Sequence, residues 1–512
     1  MNDIWSNLYG DQSEFRQFLL NRYPNMEHWL PDEVFNKPVK WPDNMGLKVF
    51  RGTVNVSGTF LADNLNTPVT VIEEPATPEI IIKELQRAKS KNNPYTHVGF
   101  SVFIDSYTIF IKCAKAVKEF DRNIITIAGN CGALFDETVN YVDHVCKTDG
   151  VSYLRKLLGE DVDAPYQLRI IPSNNRLKFF GIDIKSEIAQ IVTKVGCPQK
   201  CDFCITNRLF DGNVPSVFFT PEQVHKTLVE YRTKIKKDIK IAFCEPTSII
   251  SHNWWYELFH LFEDEPEDYP LMIGTTATSL EKFDFDRIRN SSLRFEMINV
   301  GIENFHHQYS KNTNINIKDL FKRLADYGIG AYATYIIGFD HHDYYNVWEE
   351  INQLLDLDAA LNYVENLKIL PQTPLWFKYK EEGRLLDVPN DFFFIDGFQA
   401  FTHPHFKPGF KDMLPLLTEI QMYIEKERGP QGLDMLKIFE NIPNPNKNIL
   451  YQIKYLKVAT KLLFPSWKKY LNPNDKQIEN YLAKMGDVKI PFYFNLITKS
   501  PRLRKFINFL SR

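Results

Sequence analysis

The stretch Lys194-Val-Gly-Cys-Pro-Gln-Lys-Cys-Asp-Phe-Cys-Ile-Thr206 carries three thiols, Cys197, Cys201 and Cys204, at the spacing C-x3-C-x2-C. It follows directly on the apolar-rich run Ile188 to Val195. Three thiolates with no fourth nearby can hold three irons of a cubic 4Fe–4S cluster and leave the last iron open to a ligand that is not protein. A structural zinc site would close its tetrahedron with a paired C-x2-C or an H-x3-5-H. Neither follows here, and His225 and Cys244 lie at distances that fit no common ribbon or finger.

Composition agrees with a folded chain in a reducing compartment. The 512 residues are 44% hydrophobic and 14% aromatic, enough for two to four domains at about 100–200 residues each. Seven cysteines, three of them in one motif, argue against a disulfide framework and for a cytoplasmic setting. The polar start Met1-Asn-Asp-Ile-Trp-Ser-Asn does not read as a signal peptide, and no run approaches the length of a membrane span. The net charge of −3 hides an asymmetry: from Lys447 to Arg512, 14 Lys plus Arg face 3 Asp plus Glu, a net of +11, so the first 446 residues carry −14. Such a basic tail reads first as a solvated face and second as a contact for an anionic partner or membrane surface.

Working outward toward the N-terminus, residues 1–46 read as an irregular, aromatic lead-in packed on the body. An α/β alternation begins at Leu47. Strands are expected at Leu47–Arg51, Val69–Ile72, His97–Phe103, Asn123–Gly129 and His144–Cys146, with helices over Pro78–Ser90, Tyr107–Phe120 and Val151–Leu158. Strands alternating with helices of this length indicate a doubly wound parallel sheet, which binds ligands at the carboxyl ends of its strands.

The C-P-Q-K-C-D-F-C motif, with the aromatic Phe203 one place before its last thiol, resembles that of the radical S-adenosylmethionine enzymes. The resemblance implies that S-adenosylmethionine chelates the open iron. An electron from the cluster then cleaves the sulfonium to give methionine and a 5′-deoxyadenosyl radical, and a one-electron reductant such as a flavodoxin or ferredoxin is implied with it. In such enzymes the cofactor carries the chemistry and the protein supplies orientation and exclusion of water.

Further landmarks extend the likeness. Residues 47–165 resemble the Rossmann-like cobalamin-binding domain that precedes the radical domain in one large subgroup, through Gly99-Phe-Ser101, Ala128-Gly129-Asn130 and Thr148-Asp149-Gly150. Ser101, Gly129 and Asn130 are the implied contacts to the corrin. No histidine occurs between His28 and His97, so the lower face of cobalt is expected to be water-bound, empty or met by a group such as Arg51.

Residues 185–386 resemble the partial (β/α)6 barrel of the family. The strand Ile239–Phe243 runs into Cys244-Glu245-Pro246 where the family shows Gly-Gly-Glu, so only Glu245 carries over as a contact to S-adenosylmethionine. Phe295 to Asn304 ends in Gly-Ile-Glu and makes Glu303 a second contact. Ala331 to Asp340 resembles the strand along the adenine, with Gly338 at its end, and Leu367 to Pro374 resembles the last strand, with Gln372 where glycine is usual. Phe203 completes the implied cofactor contacts.

Residues 387–512 read as a helical, basic region whose aromatic segments Asp391–Phe394 and Gly397–Phe401 cap the barrel mouth. The pairs His306/His307, His341/His342 and His403/His405 have no carboxylate at fixed spacing and read as loop polar groups rather than a second metal site. His341 or His342 could still handle a substrate proton. The function implied is methylation of an unactivated carbon of a metabolite or peptide with cobalamin as a second cofactor. The alternative is hydrogen abstraction with rearrangement or cyclisation, the small domain being empty or structural.

Overall fold

Parallel strands need a crossover long enough to return the chain to the same end, and the amphipathic helices between the β-branched runs supply it. The computed structural model describes residues 12–35, 48–50, 56–72, 76–179, 182–210, 216–235, 239–306, 312 and 315–428. Strand β1 (Lys48–Phe50) pairs antiparallel with Ile171–Phe179, far from the next strands in the chain. Strands β2 (His97–Ser101), β3 (Ile125–Gly129) and β4 (His144–Val145) form a three-stranded parallel sheet in that order.

The expected doubly wound sheet of five strands is therefore reduced to three. The Lys48–Phe50 segment finds its backbone partners on the other sheet, and Val69–Ile72 forms no strand, its Val69 standing 47% exposed. Helices Pro78–Ser90 and Tyr107–Phe120 match expectation and share a small core of Ile81, Leu85, Cys113, Val117 and Ile124.

The central sheet has eight strands. Strands β5 (Ile171–Phe179) and β6 (Ile182–Ile191) form an antiparallel pair, and a two-stranded ladder of β7 (Lys194–Val195) and β8 (Ser216–Val217) flanks the cysteine loop. From β6 the order runs through β9 (Lys240–Phe243), β10 (Tyr269–Thr275), β11 (Leu293–Glu303), β12 (Gly330–Ile337) and β13 (Leu361–Asn366). These six are parallel throughout, as a half-barrel requires.

The last strand lies earlier than the sequence suggests, at Leu361–Asn366 rather than Leu367–Pro374. The alternating Leu-Asn-Tyr-Val-Glu-Asn segment takes the full ladder with β12, from Tyr332↔Leu361 to Ile337↔Asn366, leaving Leu367 only one further bond to Ile337 O at 2.7 Å.

Alternation decides which side chains face the helices and which face the barrel interior. Ile298, Val300 and Ile302 of β11 and Ala331, Ala333, Tyr335 and Ile337 of β12 join one large core with the surrounding helices. The opposite set, including Asn299, Thr334, Tyr363 and Glu365, is half-buried and lines the inner face. A second core joins the small sheet to the barrel mouth: Val102, Ala128 and Phe135 share it with Cys201, Ile336, Phe339 and Leu367.

The aromatic segment after the barrel is buried in this second core through Phe392, Phe393, Phe398 and Phe401. The lead-in is regular where described, a helix over Gln12–Arg22 followed by a 3-10 turn over Pro24–Trp29. It docks through Phe15 on Phe410 and through Arg22 on the buried Asp391 at 3.2 Å. The helix Met413–Arg428 lies in the region read as helical, and the remainder of that region with its basic ending lies outside the described residues.

Candidate active site

The cysteine loop leaves β7 through Gly196, whose φ of +83° is one that side-chain-bearing residues rarely adopt. Cys204 N donates to Cys201 O at 3.2 Å, turning the loop, and Leu375 N donates to Asp202 O at 3.1 Å, tying it to the helix Pro374–Glu381. Cys201 is buried, Cys197 and Cys204 are half-buried, and none of the three is in a disulfide. Phe203 packs edge-on against Phe339 with ring centroids 6.0 Å apart, so the aromatic of the motif sits beside the end of β12.

The donor set can be tested against a metal. One tetrahedral zinc draws its sulfurs to about 3.8 Å from one another, given Zn–S near 2.3 Å. Among the described residues, the set of three such ligand atoms gathered within 4.8 Å is His341, His342 and Glu350, not the cysteines. Three thiols on one loop, with no fourth protein ligand in the motif, fit a cluster that leaves one iron open.

Glu245 follows β9 in the connection to the next helix, with its side chain fully buried. One oxygen accepts from Thr193 N at 2.7 Å and from Thr193 Oγ1, and the other faces Lys194 Nζ at 2.7 Å. Burial presses the Lys194 ammonium below its ordinary pKa, while Glu245 opposes that shift. The carboxylate expected to meet a cofactor is thus engaged with the strand end that launches the cysteine loop. Cys244, beside it, donates its thiol to Gln190 Oε1 at 3.2 Å on the inner face.

Glu303 ends β11 at φ +67°, where the register with β12 shifts between Gly301 and Glu303. A buried non-glycine residue in the left-handed region costs of order 1–3 kcal/mol and clusters at functional sites. Gly338 ends β12 at φ +90°, and a Cβ there would meet the Met413 side chain at 3.2 Å. Gln372, noted for standing where glycine is usual, also has a positive φ of +64°, and its Nε2 donates to Asp136 Oδ1 at 2.8 Å across to the small domain.

The three expected corrin contacts come together. Ser101 and Gly129 are register partners on β2 and β3, and Asn130 Nδ2 donates to Ser101 Oγ at 3.2 Å. Asn130 holds φ +73°, with its own side chain accepting from Cys131 N at 2.7 Å. These groups sit at the carboxyl ends of the small sheet, which packs into the core containing Cys201. Arg51 lies outside the described residues.

Two acidic residues were not singled out by sequence. Glu365 lies on the inner face of β13, paired in register with Ile336. Burial first, then the charge of Asp396, pushes its carboxyl up to about 7 against the pull of Lys368, whose Nζ lies 2.6 Å from Asp396. A polar residue in an alternating strand was the available signal.

Glu350, on the helix Tyr344–Leu355, supplies the carboxylate that spacing did not reveal beside His341 and His342. A metal there fails on proton accounting. His342 Nδ1 accepts from Gly338 N at 2.9 Å and Phe339 N at 3.1 Å, so the ring proton is on Nε2 and no lone pair remains for an ion. His342 is also fully buried, whereas His341 is half-buried.

Comparison with known proteins places these features. The model of the radical SAM superfamily matches residues 191–356, which span the strands from the end of β6 through β12. A solved structure of the cobalamin-dependent S-adenosylmethionine radical enzyme OxsB superposes with a TM-score of 0.50 at 14% identity, covering 83% of this chain and 72% of that one. At that identity the likeness is one of fold. No curated protein sequence matches the chain. Among the described residues no helix is long and apolar enough to cross a membrane.

Proposed function

We propose, from the match of residues 191–356 to the radical SAM superfamily, that the chain is a cobalamin-using radical enzyme that methylates an unactivated carbon of a small molecule or peptide. The observation that carries this reading is the shared core in which Cys201 meets residues of the small sheet and of β12. It joins the cysteine loop and the end of β12 to Val102 and Ala128, the sequence neighbours of Ser101 and Gly129.

In this reading Cys197, Cys201 and Cys204 hold the cluster and leave one iron for S-adenosylmethionine, with Phe203, Glu303 and Gly338 lining the cofactor. Bound together, the cluster and S-adenosylmethionine supply a carbon-centred radical, and a corrin supplies a methyl group. The chain's own part is to orient and to exclude water. Phe203 and Phe339 close an apolar wall, Glu303 is held in a strained conformation at the barrel mouth, and Glu365 offers a carboxyl inside it. Ser101, Gly129 and Asn130 would face the corrin, with no histidine from the 52–58 loop to ligate cobalt.

Anaerobic reconstitution with iron and sulfide tests the first part: a cluster absorption band is expected that is lost in Cys197→Ala, Cys201→Ala and Cys204→Ala, and unchanged spectra in all three would overturn it. Incubation with hydroxocobalamin followed by gel filtration tests the second, the expected result being a co-eluting corrin chromophore. The reduced, three-stranded small sheet favours a second reading, in which the domain is structural and the enzyme performs hydrogen abstraction with rearrangement or cyclisation. Failure to retain the corrin would select it.

A further inference from the structure

We propose that His342, backed by Glu350, is a positioning residue that fixes two cofactor-facing strand ends at once; the proposal rests on the reading of the barrel mouth as the S-adenosylmethionine site. The turn after β12 exposes two consecutive backbone donors. Gly338 N and Phe339 N both point at His342 Nδ1, at 2.9 and 3.1 Å, and His342 N closes the turn on Phe339 O at 2.7 Å. With no exposure to solvent, that nitrogen is the acceptor that satisfies both amides.

The ring is held from behind. Its Nε2 faces Glu350 Oε1 at 3.4 Å, and the other Glu350 oxygen accepts from Tyr335 Oη and from Phe305 N at 2.8 Å. Burial works against the charge of Glu350, yet the imidazole 3.4 Å away and the hydrogen bonds from Tyr335 Oη and Phe305 N hold its carboxyl down at about 2, so it stays an acceptor for those two donors beside the ring. Phe305 lies two residues beyond Glu303. One carboxylate therefore ties the backbone after β11 to the turn after β12, through a histidine whose proton its own hydrogen bonds place.

The chemistry asks for this. Gly338 has no side chain, so whatever it presents to a ligand is backbone, and a glycine's wide conformational freedom makes the position of that backbone depend on what holds its amide. Asp343 and Asn346 form a reciprocal capping box that starts the helix carrying Glu350, so the clasp is anchored one turn further on.

Full-length protein with its cluster reconstituted is compared as wild type, His342→Leu, His342→Gln and Glu350→Gln. Leucine keeps bulk and removes the acceptor; glutamine restores an oxygen. Equilibrium dialysis against S-adenosylmethionine should show about a tenfold or greater loss of affinity for His342→Leu, with cluster absorbance unchanged, and recovery to within about threefold for His342→Gln. Amide exchange on the ligand-free chain should quicken at Gly338 and Phe339 in His342→Leu alone, and at Phe305 in Glu350→Gln. Wild-type affinity in His342→Leu, or equal loss in the leucine and glutamine variants, would overturn the proposal. Unchanged amide exchange would overturn the clasp itself. Should wild type fail to bind S-adenosylmethionine, the functional reading falls instead, and the exchange data still decide the clasp.

Discussion

Replacing Lys194 with methionine should destabilise the fold sharply, and adding Glu245→Gln should restore most of the loss. The pair is 2.7 Å apart, with side chains 3% and 0% exposed. Lys194 also donates to Ser248 O, and Glu245 accepts twice from Thr193. At an effective dielectric near 20 two charges at this distance attract by about 6 kcal/mol, most of which the desolvation of both groups offsets. Removing the cation alone strands a buried carboxylate, a change that costs about 3–5 kcal/mol.

For 512 residues at roughly 2 cal/mol/K of unfolding entropy each, that is a drop of about 3–5 °C in Tm. Glutamine at 245 removes the stranded charge while its amide oxygen still accepts from Thr193, so the double variant should lie within about 1.5 kcal/mol of wild type. The assay is thermal and urea unfolding of the four members of a double-mutant cycle. The reasoning is refuted if Lys194→Met unfolds like wild type or if the two substitutions cost independently and add. A Glu245→Gln chain of unchanged stability that loses S-adenosylmethionine affinity would show that Glu245 also meets the cofactor.

The inner carboxyl Glu365, raised from 4.5 to about 7, predicts a pH effect with a definite sign. The fold favours its protonated form, so its contribution is fully present below about pH 4.5 and is lost as pH rises through about 7, a span worth about 3 kcal/mol. Urea midpoints between pH 5 and pH 8 should fall more steeply in wild type than in Glu365→Gln, and parallel slopes would contradict the assignment. Gln372 at φ +64° predicts that Gln372→Gly leaves Tm within about 1 °C, whereas Gln372→Val costs about 1–3 kcal/mol by forcing a β-branched residue into the left-handed region.

Much of the framework was legible because it is local. Helix Tyr107–Phe120 begins and ends where its apolar period does, and Pro78 at the first turn, with Thr77 Oγ1 accepting from Ile80 N, marks the start of Pro78–Ser90. Where pairing partners had to be chosen, sequence was a poorer guide. Lys48–Phe50 reads as a strand and is one, but which sheet it joins depends on an exposed edge at Ile171–Phe179 that no local pattern announces. The last barrel strand was displaced for a related reason: Leu367 and Ile369 are apolar because they enter the second core, not because they sit in the ladder.

The cysteine spacing alone pointed to the superfamily whose model matches residues 191–356, since three thiols within eight residues are brought together by the covalent chain whatever the rest does. The α/β class followed equally from alternation. Only the tertiary structure decided what surrounds that loop. Thr193 and Glu245 meet across 52 positions, Gln372 and Asp136 across 236, and His342 is held by a carboxylate from the next helix. Such partners are set by which strand ends the sheet gathers at one mouth, and that gathering depends on the register and crossover of distant segments rather than on any run of residues.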